Sequence, residues 1–123
     1  MTVDLPPDHL VLVSDQPDSA GRMDPGYVFI NVGDAFERDH AATYAHANTA
    51  RLSFGSAQLG LAHLLAEGGA AYLPQRMVAG HIAAKRLHSL DAPQFQRPIY
   101  LTANRKAVAN WPWFDDCVSR LQG

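Results

Sequence analysis

Residues 51–90 read RLSFGS (51–56), AQLGLAHLLAEGG (57–69), AAYLP (70–74) and QRMVAGHIAAKRLHSL (75–90). This order predicts a short strand, a Gly-Ser turn, a helix ended by two glycines, a buried strand, and a second helix after a proline. Such a unit sets a helix N-terminus, at Ser56, at the carboxyl end of a strand. Open α/β sheets bind ligands at that edge, so the stretch predicts binding before it predicts chemistry.

The residues before this stretch continue the alternation. Residues 10–13 are an apolar run typical of a buried strand, residues 15–26 have the prolines and glycines of a loop, and residues 27–32 predict a second strand. Strands that alternate with helices indicate an α/β fold with a mainly parallel sheet.

Two helices carry more detailed expectations. Asp34 and Glu37 have the D-x-x-E spacing of a capping box, so we expect a helix to begin there. In the helix that Ser56 caps, the spacing of Leu61, Leu64 and Leu65 predicts the stripe that faces the core.

The C-terminal residues predict an extended segment at 98–103 and a final helix at 110–121. The apolar side chains of that helix are Trp111, Trp113, Phe114, Val118 and Leu121. Exposing each of them is unfavourable by roughly 1.5–3 kcal/mol. We therefore expect them to be covered, either by folding back on this lobe or by a second copy of the chain.

Composition limits the class of protein. The chain has 123 residues, of which 47% are hydrophobic and 18% charged, which suits one soluble domain or less. The net charge of −2 and the lack of basic clusters predict no direct contact with nucleic acid. No apolar stretch predicts a membrane span, and the first eight residues lack the features of a signal peptide. The single cysteine, Cys117, fits a cytoplasmic protein.

Several short motifs carry a family resemblance. Residues 68–74 (GGAAYLP) lie between two helices, Arg86-Leu87-His88 follows the second helix, and RPIYL (97–101) predicts a strand. Together with YVFINVG (27–33), this order resembles the effector-binding domain of LysR-type transcriptional regulators, from about His9 to Leu121.

The resemblance implies a Rossmann-like, three-layer lobe of the type II periplasmic-binding-protein fold. It divides the chain into a linker (1–8), an effector-binding lobe (9–103) and a C-terminal helix (104–123) that packs on a first lobe not contained here. The implied function is sensing of a small-molecule effector, with DNA bound only through a domain outside this chain, and homo-oligomers are expected. Leu5-Pro6-Pro7 resembles a linker, which favours a truncated regulator. The alternative is a lobe of a solute-binding transport protein.

The turn Phe54-Gly55-Ser56, with Gln58, is the first candidate effector site. Free N–H groups at a helix start and the serine hydroxyl can hold a carboxylate. The simpler alternative is that Ser56 only caps its helix, and the two are compatible. The resemblance adds that this turn lines the effector cleft.

Asn31 and Gly33 form the second candidate, because they end a strand at the same edge and Asn31 offers both a donor and an acceptor. The alternative is a glycine required by the backbone and an asparagine bonded to a neighbouring loop. Pro74 with Tyr72 could flank the cleft, although a core tyrosine and a helix-starting proline are the favoured explanation. Asp34 repels anions, so the negative end of an organic anion belongs nearer Ser56.

Catalytic and cofactor sites are not indicated. The six histidines lack the spacing of a helical zinc site, and Ser56 lacks the G-x-S-x-G frame. Phosphate-binding glycine loops are absent, and Cys117 fits a packed thiol on the final helix. We expect no metal, no cofactor and no enzyme, although a small α/β enzyme with an unrecognised site is a third hypothesis.

Overall fold

The computed structural model describes residues 2–47, 49–102 and 119–120 of the chain. Two compact units divide it, residues 9–97 in one and residues 1–8 with 98–123 in the other. The described elements are β1 (Thr2–Ser14), a 3-10 turn (Gly21–Met23), β2 (Val28–Ile30), α1 (Asp34–Thr43), β3 (Leu52–Phe54), α2 (Ala57–Glu67), β4 (Ala70–Pro74), α3 (Gln75–Ala83), β5 (His88–Ser89) and β6 (Phe95–Thr102). The predicted α/β class is confirmed by this alternation.

Strand β1 lies between β4 and β5 and runs antiparallel to both, with Leu10 beside Pro74 and Val13 beside Ser89. Strands β2 and β3 pair in parallel. A single parallel bridge between Tyr27 and Ala70 links these two groups of strands. Strands β2 to β5 therefore run in one direction, and β1 runs in the other.

The prediction of a mainly parallel sheet is not confirmed, because both pairings of the central strand β1 are antiparallel. The apolar run at 10–13 identifies a buried strand but carries no information about its direction or its neighbours. A loop with one 3-10 turn follows β1, and β1 pairs with β4 and β5 rather than with β2.

Alternating side chains of β2 bury its two faces against two helices. Ile30 faces α2 so closely that a Cβ atom added at Gly60 would overlap the isoleucine side chain. Phe29 faces the other way and stacks on Phe36 of α1, with ring centroids 5.8 Å apart. The core is completed by buried side chains of β1, β4 and the helices, among them Leu10, Val13, Leu64, Tyr72, Leu73 and Val78.

The turn between α2 and β4 is held by Asp15. Its carboxylate accepts a hydrogen bond from the Gly69 N–H at 2.9 Å, and its own N–H donates to the Gly69 carbonyl at 3.4 Å. Gly69 has a φ of +117°, and a Cβ there would overlap the backbone carbonyl of Gly26. This position therefore requires glycine for its conformation and for its close neighbour.

Helix ends differ from the sequence predictions in two places. The predicted start of α1 at Asp34 is confirmed, but the predicted capping box is wrong, because Gly33 is the N-cap and no side chain caps the helix. The sequence predicts the next helix over residues 76–85. In the structure α3 ends at Ala83, and Lys85 adopts the left-handed conformation with a φ of +61°. The predicted core stripe of α2 is partly wrong, because Leu64 is fully buried but Leu65 is 42% exposed.

In the other unit, strand β6 pairs with β1, and β1 extends into residues 1–8, which the sequence predicted as a linker. Ser119 and Arg120 are helical. The rest of the predicted final helix, with both tryptophans, Phe114 and Val118, lies outside the described residues. The predicted domain boundaries remain predictions. Across residues 2–47, 49–102 and 119–120, no helix is long and apolar enough to cross a membrane.

Candidate functional site

Strands β2 and β3 end together at one edge of the lobe, which we call the carboxyl edge. Val28 lies beside Leu52 and Ile30 beside Phe54. The pairing continues one residue further, because the Asn31 N–H donates to the Phe54 carbonyl at 2.9 Å. The structure thus brings the two predicted halves of the site together.

Asn31 and Gly33 form a small turn at this edge. The Asn31 Oδ1 atom accepts a hydrogen bond from the Gly33 N–H at 3.0 Å. Gly33 has a φ of +133°, a conformation that side chains rarely adopt, and it precedes α1. The asparagine carbonyl therefore shapes the turn, while its side-chain NH₂ group is the donor that it could offer to a ligand.

Ser56 caps α2, as its sequence position predicts. Its Oγ atom accepts a long hydrogen bond, 3.4 Å, from the Leu59 N–H. Gly55 and Gln58 are exposed on the same turn, while Phe54 is half-buried, with its ring 5.4 Å from that of His63. The start of α2 therefore presents a serine and first-turn N–H groups at the carboxyl edge, where a negative group is favoured.

Pro74 and Tyr72 belong to the core rather than to a surface. Pro74 is fully buried and precedes α3. Strand β4 ends at Pro74, and the parallel bridge between Tyr27 and Ala70 shows that β4 runs in the same direction as β2. Tyr72 is 1% exposed, and its hydroxyl donates to the Pro93 carbonyl at 2.6 Å.

Arg97 adds a positive charge that the sequence analysis missed. Its Nη1 atom donates to the Val32 carbonyl at 3.2 Å, which holds the guanidinium beside the Asn31–Gly33 turn. No pattern in the sequence signals this contact, because the two residues are 65 positions apart. The carboxyl edge thus combines an amide, a serine cap, helix N–H groups and a guanidinium, a set suited to binding an anion.

The groups with the most strongly shifted pKa values lie elsewhere. Burial, together with the nearby Arg22 guanidinium, lowers the pKa of His40 to about 4. Burial raises the pKa of Tyr27 and that of Tyr72 far above the usual range. These three groups are in the core, so they supply no proton-transfer group to the carboxyl edge. In the described part of the chain, no three metal-binding side chains lie together.

No protein-family model matches the sequence, and no curated protein matches it. Solved structures do match the fold. The regulatory domain of HypT from Salmonella typhimurium, in a bromide-bound structure, superposes with a TM-score of 0.73 over 99% of this chain, at 19% identity. The C-terminal domains of a LysR family protein from Agrobacterium tumefaciens give 0.71 over 99%, at 16% identity.

The fold is that of a LysR-type regulatory domain. Full-length LysG from Corynebacterium glutamicum, with bound effector Arg, also shares it, with a TM-score of 0.66 and 15% identity. The LysR-type resemblance predicted from sequence is confirmed as a likeness of fold. The chain spans 47% of the length of full-length HypT and 64% of that of its bromide-bound regulatory domain.

Proposed function

We propose that this chain is the effector-sensing part of a LysR-type transcriptional regulator. The observation that carries the proposal is the carboxyl edge itself, where Asn31, Ser56 and Arg97 gather donors on a lobe with the fold of LysR-type regulatory domains. Structures of two such relatives contain a bound ion or small molecule, bromide in HypT and arginine in LysG. A cytoplasmic location follows from this proposal.

The proposed ligand is a small organic anion whose negative group contacts the start of α2 and the Arg97 guanidinium. Helix N–H groups and a guanidinium both favour an oxyanion, and Asp34 at the first turn of α1 disfavours one on that side. We propose Asn31, Gly33, Gly55, Ser56 and Gln58 as the contacting residues, with Phe54 and Pro74 holding the turns in place. The proposed role of these residues is binding and not catalysis.

The proposed mechanism is a shift between conformations of a longer protein. In this mechanism, the part of the protein outside these 123 residues supplies the rest of the cleft and the DNA-binding domain. An effector changes the balance between open and closed forms only by the difference in its affinity for them. Because this chain holds only part of the cleft, its affinity for the effector by itself should be weak.

Self-association is part of the proposal. We infer that Trp111, Trp113, Phe114 and Val118 are covered by a second copy of the chain, with folding back on this lobe as the alternative. Sedimentation equilibrium of this chain tests the first case, and a strictly monomeric species with both tryptophans quenched by iodide would contradict it.

The function is tested on the full product of the source gene. Translating the gene upstream of the codon for Met1 should give a winged helix-turn-helix and another α/β lobe, whereas an export signal would indicate the transport alternative. Genomic DNA fragments retained by the purified product should change when a panel of organic acids is added. Asn31→Asp should abolish that response and preserve DNA binding, while Ser89→Asp, on β5, should leave both unchanged. A response that survives Asn31→Asp contradicts the proposed site.

A further inference from the structure

A second concave site lies at the opposite edge of the lobe, where β2 and β3 begin and α1 ends. A cavity of about 340 Å³ opens there between Arg22, Phe29, His40, Tyr44, Ala50 and Ser53. A smaller cavity of about 250 Å³ adjoins it and shares Arg22 and Ala50. We call the larger one the aromatic pocket. Its volume is in the range of small-molecule sites, which begins near 300 Å³.

The walls of the pocket are aromatic rings. The His40 ring lies 5.0 Å from that of Phe29 and 5.2 Å from that of Tyr44, centroid to centroid. The guanidinium of Arg22 lies 4.5 Å from the centroid of Tyr27 and 6.0 Å from that of Tyr44. A planar ring can therefore find both stacking surfaces and a cation within one cavity.

The charge that lines the aromatic pocket is that of Arg22, while Asp24 lines the smaller cavity beside it. Arg22 is the only ionised group among its described lining residues, since the others are aromatic, alanine, serine or threonine. Burial keeps the His40 imidazole neutral at pH 7, because its pKa is lowered to about 4. An anion entering the aromatic pocket meets the Arg22 guanidinium, and none of the described residues that line this pocket is a carboxylate.

Hydrogen bonds hold these walls before any ligand binds. The Tyr27 hydroxyl and the His40 Nε2 atom are 2.7 Å apart, and the hydroxyls of Tyr44 and Tyr72 are 2.5 Å apart. Rings that are already fixed lose little freedom when a ligand binds, which favours affinity.

We propose that the aromatic pocket binds a small aromatic carboxylate, with the ring between Phe29 and Tyr44 and the carboxylate toward Arg22. The site is separate from the carboxyl edge and does not depend on the function proposed for that edge. It gives the lobe two ligand sites at opposite ends of its parallel strands.

The test is a titration of the ¹⁵N-labelled 123-residue chain, followed by heteronuclear NMR, with benzoate, benzamide and acetate as probes. Benzoate should give saturable shifts at Ala41, Ala47 and Ala50 and bind at least tenfold more tightly than benzamide. Acetate should give none. Shifts confined to residues 31–33 and 54–58, or equal affinity for benzoate and benzamide, would overturn the proposal.

Three variants sharpen the test. Arg22→Gln should remove the preference for benzoate over benzamide, while Arg38→Gln, an exposed arginine of α1, should keep it. Ala45→Phe fills the pocket from its exposed rim without changing the core and should weaken benzoate binding at least tenfold. Ala45→Phe therefore decides the outcome if Arg22→Gln fails to fold. Unchanged benzoate affinity in a folded Ala45→Phe chain would overturn the proposal.

Discussion

The two edges of the lobe are built in different ways. The carboxyl edge is shaped mainly by the backbone. The Asn31 N–H donates to the Phe54 carbonyl, Gly33 has a positive φ, and Ser56 caps a helix. At the opposite edge, side chains form the site, with a guanidinium on a tyrosine ring and a histidine bonded to a tyrosine hydroxyl. The first kind of site is encoded locally, and the second requires four separate segments to meet.

This difference predicts how each edge responds to mutation. Substitutions at the opposite edge, where side chains form the aromatic pocket, remove buried contacts and should change stability strongly. Substitutions at the carboxyl edge change exposed turns and should change binding more than stability.

Gly69→Ala should cost far more stability than Gly33→Ala, although both glycines have positive φ angles. An added Cβ at Gly69 overlaps the Gly26 carbonyl, while one at Gly33 meets nothing within 4 Å. We expect a loss of about 3 kcal/mol or more at Gly69 and about 1–2 kcal/mol at Gly33, measured by urea unfolding. Equal losses would mean that the close approach of Gly26 and Gly69 contributes nothing.

Stability should fall as the pH is lowered from 7 to 4, in part because of His40. Its folded pKa of about 4 lies below its ordinary value of 6.5, so the unfolded chain takes up a proton first. The contribution of His40 to the free energy of unfolding is present above pH 6.5, and about 3 kcal/mol of it should be lost by pH 4.

His40→Gln should flatten this part of the profile, whereas replacing His46, an exposed histidine in the turn after α1, should not. Urea unfolding at six pH values measures both. An identical slope in His40→Gln and the parent chain would assign the loss to other groups.

Tyr72→Phe should destabilise the lobe more than Tyr44→Phe. Tyr72 donates its single proton to the Pro93 carbonyl, so in the Tyr44–Tyr72 pair the donor must be Tyr44. Tyr72→Phe therefore removes the partner of the Pro93 carbonyl and of the half-buried Tyr44 hydroxyl and should cost about 1 kcal/mol. Tyr44→Phe removes only a donor, and its smaller cost in thermal unfolding is the check. The reverse order would contradict this direction of the hydrogen bonds.

Ser56→Ala should have the smallest effect on stability. The cap bond to Leu59 is long, so we expect a loss of about 0.5–1 kcal/mol, near the lower end for N-caps. Ser89→Ala, an exposed serine of β5, should stay within about 0.5 kcal/mol of the parent chain. A loss of several kcal/mol for Ser56→Ala would place this residue in a larger network than its single cap bond.

The local signals in the sequence predicted the carboxyl edge well. Small polar and glycine residues at 31–33 and 55–56 mark turns, and Gly68-Gly69 marks the end of α2, because backbone conformation limits which residues fit. The order of strands and helices from residue 27 to residue 83 was predicted for the same reason.

Long-range features were not predictable in this way. The direction of β1 depends on which strands it pairs with, and an apolar run fits either direction. The contact of Arg97 with Val32 and the aromatic pocket depend on segments that are far apart in sequence. His40 illustrates the limit: its place on the buried face of α1 was predictable from helical spacing, but its tyrosine partner was not.

The contact of Gly60 with Ile30 has a consequence for the thermodynamics of binding. Ile30 is followed by Asn31, and α2 begins just after Ser56, so one tight helix–strand contact joins the two halves of the carboxyl edge into a single block. Neither half has to be ordered when a ligand arrives, and the loss of conformational entropy should be small. A substitution that loosens the contact between Gly60 and Ile30 should therefore weaken ligand binding. It would raise the conformational entropy lost on binding without changing any residue that contacts the ligand.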